Sequence, residues 1–337
     1  MSFPMIKSVA PTRIDLAGGT LDIWPLYLML GNPPTLNAAI NLYASVELRP
    51  RRDRAIHIES KDLNIKEQFR SVDNLPQNHP LDLILKTLHF YRPKTGLNIV
   101  TECQAPAGSG IGGSSALAVA LNGALNRLSG RRYKKSQFIP IAQNIETQTI
   151  STLTGWQDYY PALYGGALAI QPGMAGVTPE TMPVDLDALT QRMVLCYTGK
   201  PRRSGINNWR VLKKALDGDR TVLRKLARIA EVSLEMKRVL IRGNIDRAAQ
   251  WFNEEWNARK ALAPGISSPQ TDRLISAASK RGALAAKTCG AGGGGCVAFF
   301  VRKGAKERVV RELQTHGGQV LDFRFVKRGL RVRQVAP

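Results

Sequence analysis

The sequence is short of acid. Against 48 Lys and Arg it has only 26 Asp and Glu, so the 337-residue chain carries a formal charge of +22. Such an imbalance attracts anions: nucleic acid, an anionic membrane surface or phosphorylated small molecules. It does not bear on fold. Cysteine and histidine are also scarce. Cys103, Cys196, Cys289 and Cys296 form no C-x-x-C pair, and His57, His79, His89 and His316 form no H-E-x-x-H. That excludes a zinc scaffold and a disulfide framework, and it points to buried thiols in a reducing cytoplasm. No apolar run reaches the 18 or so residues of a membrane span. Residues 1–10 lack the apolar core of a signal peptide. The expectation is a cytoplasmic protein with no membrane partner. Repeats and heptads are absent, so nothing points to an oligomeric state.

What is present is a folded chain. An apolar content of 43% supports a sizeable core, and the length suits two ordinary domains. Residues 42–48 and 55–59 are strand-like and flank an Arg-rich turn, which reads as a hairpin. Residues 81–90 have helical spacing, and 97–103 read as a strand. Helices are expected over 115–128 and 137–149, and a strand over 165–171. Residues 171–183 carry Pro and Gly with little periodicity and mark a domain boundary. Beyond it come a strand at 192–197, a helix-rich block over 205–280, strands at 284–288 and 296–301, a helix at 306–314, and strands at 319–326 and 330–335. This is an α+β mixture with no strict alternation.

The most informative segment joins the 97–103 strand to a strong helix: Pro106-Ala-Gly108-Ser109-Gly110-Ile111-Gly112-Gly113-Ser114-Ser115-Ala. Four glycines in six residues let the backbone turn sharply and approach a ligand. The helix start behind them offers unpaired N–H groups and the positive dipole end, a site for a triphosphate. The same residues satisfy the dinucleotide fingerprint G-x-G-x-x-G. However, no Asp or Glu lies between Glu102 and Glu146 to hold a ribose. An NADP variant would need Arg131 or Arg132. No Lys follows the glycines, so a Walker loop is disfavoured.

This loop resembles the phosphate-binding motif of the GHMP kinases, named for galactokinase, homoserine kinase, mevalonate kinase and phosphomevalonate kinase. Two further stretches support the likeness, in the family's order. Thr12-Arg-Ile-Asp-Leu-Ala-Gly-Gly-Thr-Leu-Asp22 resembles its first motif. Lys287-Thr-Cys-Gly-Ala-Gly-Gly-Gly-Gly-Cys296 resembles its third. The stretches 155–166, 197–204 and 256–268 are similar to the sugar-kinase branch that includes heptose 7-phosphate kinase and fucokinase-like enzymes.

The resemblance implies an ATP- and Mg²⁺-dependent kinase acting on a hydroxyl of a sugar or sugar phosphate. It implies a ribosomal-S5-like N-terminal α+β domain (1–178) and a ferredoxin-like C-terminal domain (188–337), with the active site in the cleft between them. Carried over residue by residue, Pro106 and Gly108 to Ser115 cradle the nucleotide. Ser114, or Ser115 in this longer loop, holds Mg²⁺ with Glu146. Asp158, the one acid between Glu146 and Glu180, takes the hydroxyl proton or only orients the hydroxyl. Arg13 lowers the hydroxyl's pKa or steadies the moving phosphoryl group. Asp22, Gly18, Gly19, Gly292 and Gly293 face the substrate. Gly18-Gly19-Thr20-Leu21-Asp22 departs from the more usual Gly-Gly-Gly-Thr-Asp, which bears on substrate identity. Asp15 in the same stretch reads as structural. Lys200, Arg202 and Arg203 are candidates for a second anionic group. The alternative is a basic nucleic-acid-binding or sensor protein on the same fold. The basic residues are dispersed and match no nucleic-acid-reading motif, which disfavours it.

Overall fold

The computed structural model describes residues 4–130, 132–201 and 206–335. Strands β1 (Met5–Ala17), β2 (Thr35–Pro50), β3 (Ile56–Ser60), β4 (Ile65–Phe69), β5 (Leu97–Cys103), β6 (Ala167–Gly173) and β7 (Gly176–Thr181) build a first sheet. β8 (Met193–Tyr197), β9 (Ala283–Thr288), β10 (Cys296–Val301) and β11 (Gln319–Leu321) build a second, in the order β11-β8-β10-β9. The chain then returns, and β12 (Arg331–Val335) pairs antiparallel with β1 at the edge of the first sheet. The first sheet runs β12-β1-β2-β5-β3-β4, with β6 on the first half of β2 and β7 beside β6.

Short α1 (Leu26–Met29) follows β1. Helices α2 (Asp82–Tyr91), α3 (Gly113–Leu128), α4 (Phe138–Ile150) and α5 (Tyr159–Tyr164) cover one face of the first sheet. Leu85, Leu88, Val119, Leu121 and Leu125 meet Val46, Leu48 and Ile99 there, all fully buried or nearly so. Each such side chain contributes about 1.5–3 kcal/mol of apolar burial. After α6 (Leu186–Gln191) and β8 come α7 (Ile206–Leu216), α8 (Arg220–Ile241), α9 (Ile245–Lys260), α10 (Pro269–Lys280) and α11 (Lys306–Thr315). α8 starts where the Asp219 side chain accepts from the N–H groups of Thr221 and Val222. It then buries Leu226, Ile229, Ser233, Met236 and Leu240 along one face.

β10 is buried on both faces, and its alternation divides the second core. Val297, Phe299 and Val301 pack with Leu274, Val309 and Leu313 of α10 and α11. Ala298 and Phe300 pack with Met236 and Phe252, in one cluster with Ile14 and Leu36 of the first sheet. The two sheets therefore share a core, and the carboxyl end of β1 lies inside it.

Three expectations need correction. The stretches 42–48 and 55–59 do not form a hairpin. β2 pairs with β5 antiparallel, and β3 pairs with β5 parallel on its other side. A turn between two strand-like runs carries no information about a third strand forty residues later. Residues 171–183 are not irregular throughout, because β7 closes a hairpin with β6. Its exposed edge position removes the apolar alternation that would mark it. The strand expected over 319–326 stops at Leu321, although Phe325 makes an isolated bridge to Ile40.

Candidate active site

The glycine loop folds as its composition demands. Gly108, Gly110 and Gly112 all have positive φ, which side-chain-bearing residues rarely adopt. Gly112 is the N-cap of α3, and no side chain caps that helix. The first N–H groups of a 16-residue helix are thus left for a ligand. The loop borders a cavity of about 390 Å³ whose wall includes Arg13, Asp22, Ser114, Glu146, Gln157 and Asp158. Leu63, Pro80, Leu81, Ile84 and Leu117 contribute apolar surface to the same wall.

Arg13 lies on β1 and is only 1% exposed. Its guanidinium spans the site. Nη1 donates to the Gly110 carbonyl at 2.9 Å. Nε donates to Asp158 Oδ1 at 2.8 Å, and Nη2 donates to the same oxygen. Burial works against the Arg13 charge, but Asp158 and Asp15 outweigh it and raise its pKa. Asp158 stands at the start of α5, directly over the loop. A Cβ on Gly112 would lie 3.3 Å from its side chain. Arg13 therefore joins the carboxylate to the glycine loop through one buried cation.

Glu146 is held by three hydroxyls. Ser115 Oγ and Tyr159 Oη donate to Oε2 at 2.8 and 2.6 Å, and Ser114 Oγ donates to Oε1. Burial raises the Glu146 pKa, and the three hydrogen bonds oppose that rise. The two serines differ in access: Ser115 is buried, whereas Ser114 is exposed to the cavity. Among the described lining residues the charged groups are Arg13, Asp22, Asp62, Glu146 and Asp158. One guanidinium against four carboxylates is a poor receptor for a bare polyphosphate. It suits a phosphate that arrives with a cation. Carboxylate and hydroxyl oxygens are the donors a hard Mg²⁺ ion takes, alongside phosphate oxygens.

Asp22 is 2% exposed. Its Oδ2 accepts from the Gln157 N–H at 3.0 Å, and its Oδ1 has no hydrogen-bond partner among the described residues. Burial pushes its pKa up to about 6, against the backbone hydrogen bond from Gln157. Gly155 permits this packing, since a Cβ there would fall 1.8 Å from Asp22 Oδ2.

Other sequence candidates lie outside the cavity wall. Ile111 is fully buried in the shared core, although its carbonyl accepts the Arg13 N–H at 3.0 Å. Gly18 packs on Pro34 and Ser233, and Gly19 on Asp15 and Arg259. Gly292 and Gly293 pack on Ile266 and Gly265, while Gly290 and Ala291 reach the cavity. The third glycine cluster instead braces the loop. Cys296 N–H donates to the Ser109 carbonyl at 2.7 Å, and a Cβ on Gly295 would stand 2.5 Å from that oxygen. Lys200 is exposed, and its carbonyl accepts from Gly295 N–H. Arg131, Arg202 and Arg203 lie outside the described residues. Tyr159 was missed, although it adjoins Asp158. Asp15, read from the sequence as structural, belongs to a buried set of four charges whose other members, Glu255, Arg259 and Lys287, were missed. Lys287 opens the third glycine motif, and Arg259 lies in the 256–268 stretch, so both fell inside segments already singled out.

The model of the GHMP kinases N terminal domain matches residues 81–166, and that of the GHMP kinases C terminal matches residues 236–319. The chain is 30% identical to D-glycero-alpha-D-manno-heptose 7-phosphate kinase of Campylobacter jejuni, covering 97% of this chain and 98% of that one. It superimposes on the crystal structure of a D-glycero-D-manno-heptose 1-phosphate kinase from Bacteroides thetaiotaomicron with a TM-score of 0.80 at 26% identity, covering 98% and 100%. Lactococcus lactis galactokinase shares the fold at a TM-score of 0.80 and 18% identity, covering 97% and 95%. Among the described residues, no helix is long and apolar enough to cross a membrane.

Proposed function

The chain belongs to the GHMP kinases, and from that premise we propose that it transfers the γ-phosphoryl group of ATP to a hydroxyl of a sugar phosphate of the heptose phosphate class. One observation carries the reading: Arg13 ties Asp158 to the glycine loop, on the same cavity that Asp22 lines. The loop and the α3 N-terminus bind the phosphates. Asp22 and the Gln157 backbone orient the acceptor. Asp158 accepts the proton of the acceptor hydroxyl, or holds that hydroxyl, as its oxygen bonds to the γ-phosphorus and the bond to the β-phosphate oxygen breaks. Arg13 keeps the carboxylate in place and offsets charge beside the loop. A bound Mg²⁺ would supply positive charge against the developing charge of the phosphates. Ser114 and Glu146 Oε1 would hold it, while Ser115 and Tyr159 fix Oε2.

A coupled ADP-release screen over sugars, sugar phosphates, polyols, mevalonate and homoserine tests the function. Turnover on a heptose or hexose phosphate is expected, and turnover only on mevalonate or homoserine would contradict it. The serine assignment predicts that Ser114→Ala raises the free Mg²⁺ needed for half-maximal rate more than Ser115→Ala does. Direct Mn²⁺ binding to the enzyme–ADP complex should follow the same order, and the reverse order would reassign the ligand. Asp22 accepts hydroxyls best when ionised, which it is above about pH 6. The acceptor kcat/KM should therefore fall about tenfold per pH unit below that value. A profile flat from pH 7 to 5 would remove Asp22 from acceptor binding.

A further inference from the structure

Thr20 has φ +74°, a conformation that a β-branched residue holds only when its surroundings impose it. The surroundings are visible. Arg259 of α9 is 2% exposed, and its fork grips the turn. Nη1 donates to Thr20 Oγ1 at 3.0 Å, and Nη2 donates to the Gly19 carbonyl at 2.8 Å. The fork is itself held from behind. Its Nε donates to Glu255 Oε1 at 3.0 Å, and Asp15 Oδ2 lies 3.7 Å from Nη2. Lys287 stands 3.2 Å from Asp15 and 3.1 Å from Glu255, so two buried cations face two buried carboxylates. Burial opposes the Arg259 charge, but Glu255 and Asp15 prevail. Two residues past Thr20, Asp22 lines the cavity, and its buried Oδ1 has no hydrogen-bond partner among the described residues. Leu21 and Ile23 on either side are buried in the cluster with Trp256 of α9. The direction of the Asp22 carboxylate therefore depends on the turn that Arg259 holds.

We propose that Arg259 is a positioning residue for the acceptor: it imposes the left-handed turn at Thr20 and so aims Asp22 at the acceptor hydroxyl. The inference rests on the kinase reading for its kinetic expression. It makes Arg259, which does not line the cavity, a determinant of acceptor affinity rather than of nucleotide affinity. Thr20 is its strained counterpart. Glycine at position 20 would hold the same φ without the fork.

The test compares Arg259→Lys, Thr20→Gly and the double variant. Arg259→Lys keeps the buried charge but loses the fork. Its acceptor KM should rise at least about tenfold, with the ATP KM within about twofold of wild type. Adding Thr20→Gly should recover much of the acceptor KM, because glycine removes the pull toward a relaxed turn. Hydrogen exchange provides a readout independent of substrate. Arg259→Lys should speed exchange in a peptide covering residues 18–24 and leave residues 106–113 unchanged. Equal rises in both KM values, or no rescue by Thr20→Gly, would overturn the proposal. So would unchanged exchange at 18–24, or exchange faster throughout the molecule. If the wild type phosphorylates no sugar phosphate, the kinase reading fails by itself, and the exchange data decide the positioning inference.

Discussion

Asp158→Asn is expected to slow phosphoryl transfer by about 10²- to 10⁴-fold in kcat while ATP still binds. The substitution keeps the shape and one oxygen for Arg13, but removes the negative charge and the proton acceptor. Nucleotide contacts should survive, because Arg13 also donates to the Gly110 carbonyl and the loop is braced by Cys296 through Ser109. Arg13 is buried and would lose its closest charge partner, so thermal melting must accompany the kinetics. Single-turnover transfer and ATP titration make the measurement. Wild-type turnover in a folded Asp158→Asn protein would sink the assignment of this carboxylate.

Lys287→Met should destabilise the fold by about 3–5 kcal/mol. The stem volume is kept, and one of the two cations is lost from a set in which all four side chains are at most 2% exposed. Asp15 and Glu255 would then share Arg259 as their one close cation, with Arg13 acting on Asp15 from farther away. Burial by itself would raise the Asp15 pKa, but Lys287, Arg259 and Arg13 hold it below the ordinary value. A depressed carboxylate pKa contributes stability that is present above the unfolded value and lost as pH falls through the folded one. The loss in Lys287→Met should therefore be largest at neutral pH and shrink in acid. Denaturant melts at pH 7 and at about pH 3, below the unfolded aspartate value of about 3.9, check both parts. Melting like wild type at pH 7 would show that the ammonium contributes nothing. Adding Asp15→Asn should restore part of the loss, because it removes the charge left over.

These residues show how far local sequence reaches. The glycine loop was legible because positive φ, close backbone approach and an uncapped helix start all leave their mark in one short segment. Asp158 and Glu146 were picked out by the resemblance to the family's motifs, and Asp158 is also the one acid between Glu146 and Glu180. Asp15 could be noticed but not explained, since its ion-pair partners Arg259 and Lys287 lie more than two hundred positions away in the chain. Arg259 looked like one more basic residue in a chain with 48 of them. The strand order failed for a related reason: β5 inserts between β2 and β3, and neither of those strands encodes its neighbour.

The deficit of acid also has a different meaning in three dimensions. The net charge of +22 suggested a basic receptor for anions, yet the described cavity wall carries four carboxylates and one guanidinium. Most of the excess lies elsewhere. By itself the sequence determined the motifs, their order, the family and the acids worth testing, because those depend on local backbone demands and residue chemistry. Only the tertiary structure decided which of the two cavity-lining serines is exposed and which buried, which oxygen of Asp22 is unpaired, and that Arg259 and Lys287 are buried partners. Burial and pairing are set by segments far apart in the chain that meet only when the two sheets close on their shared core.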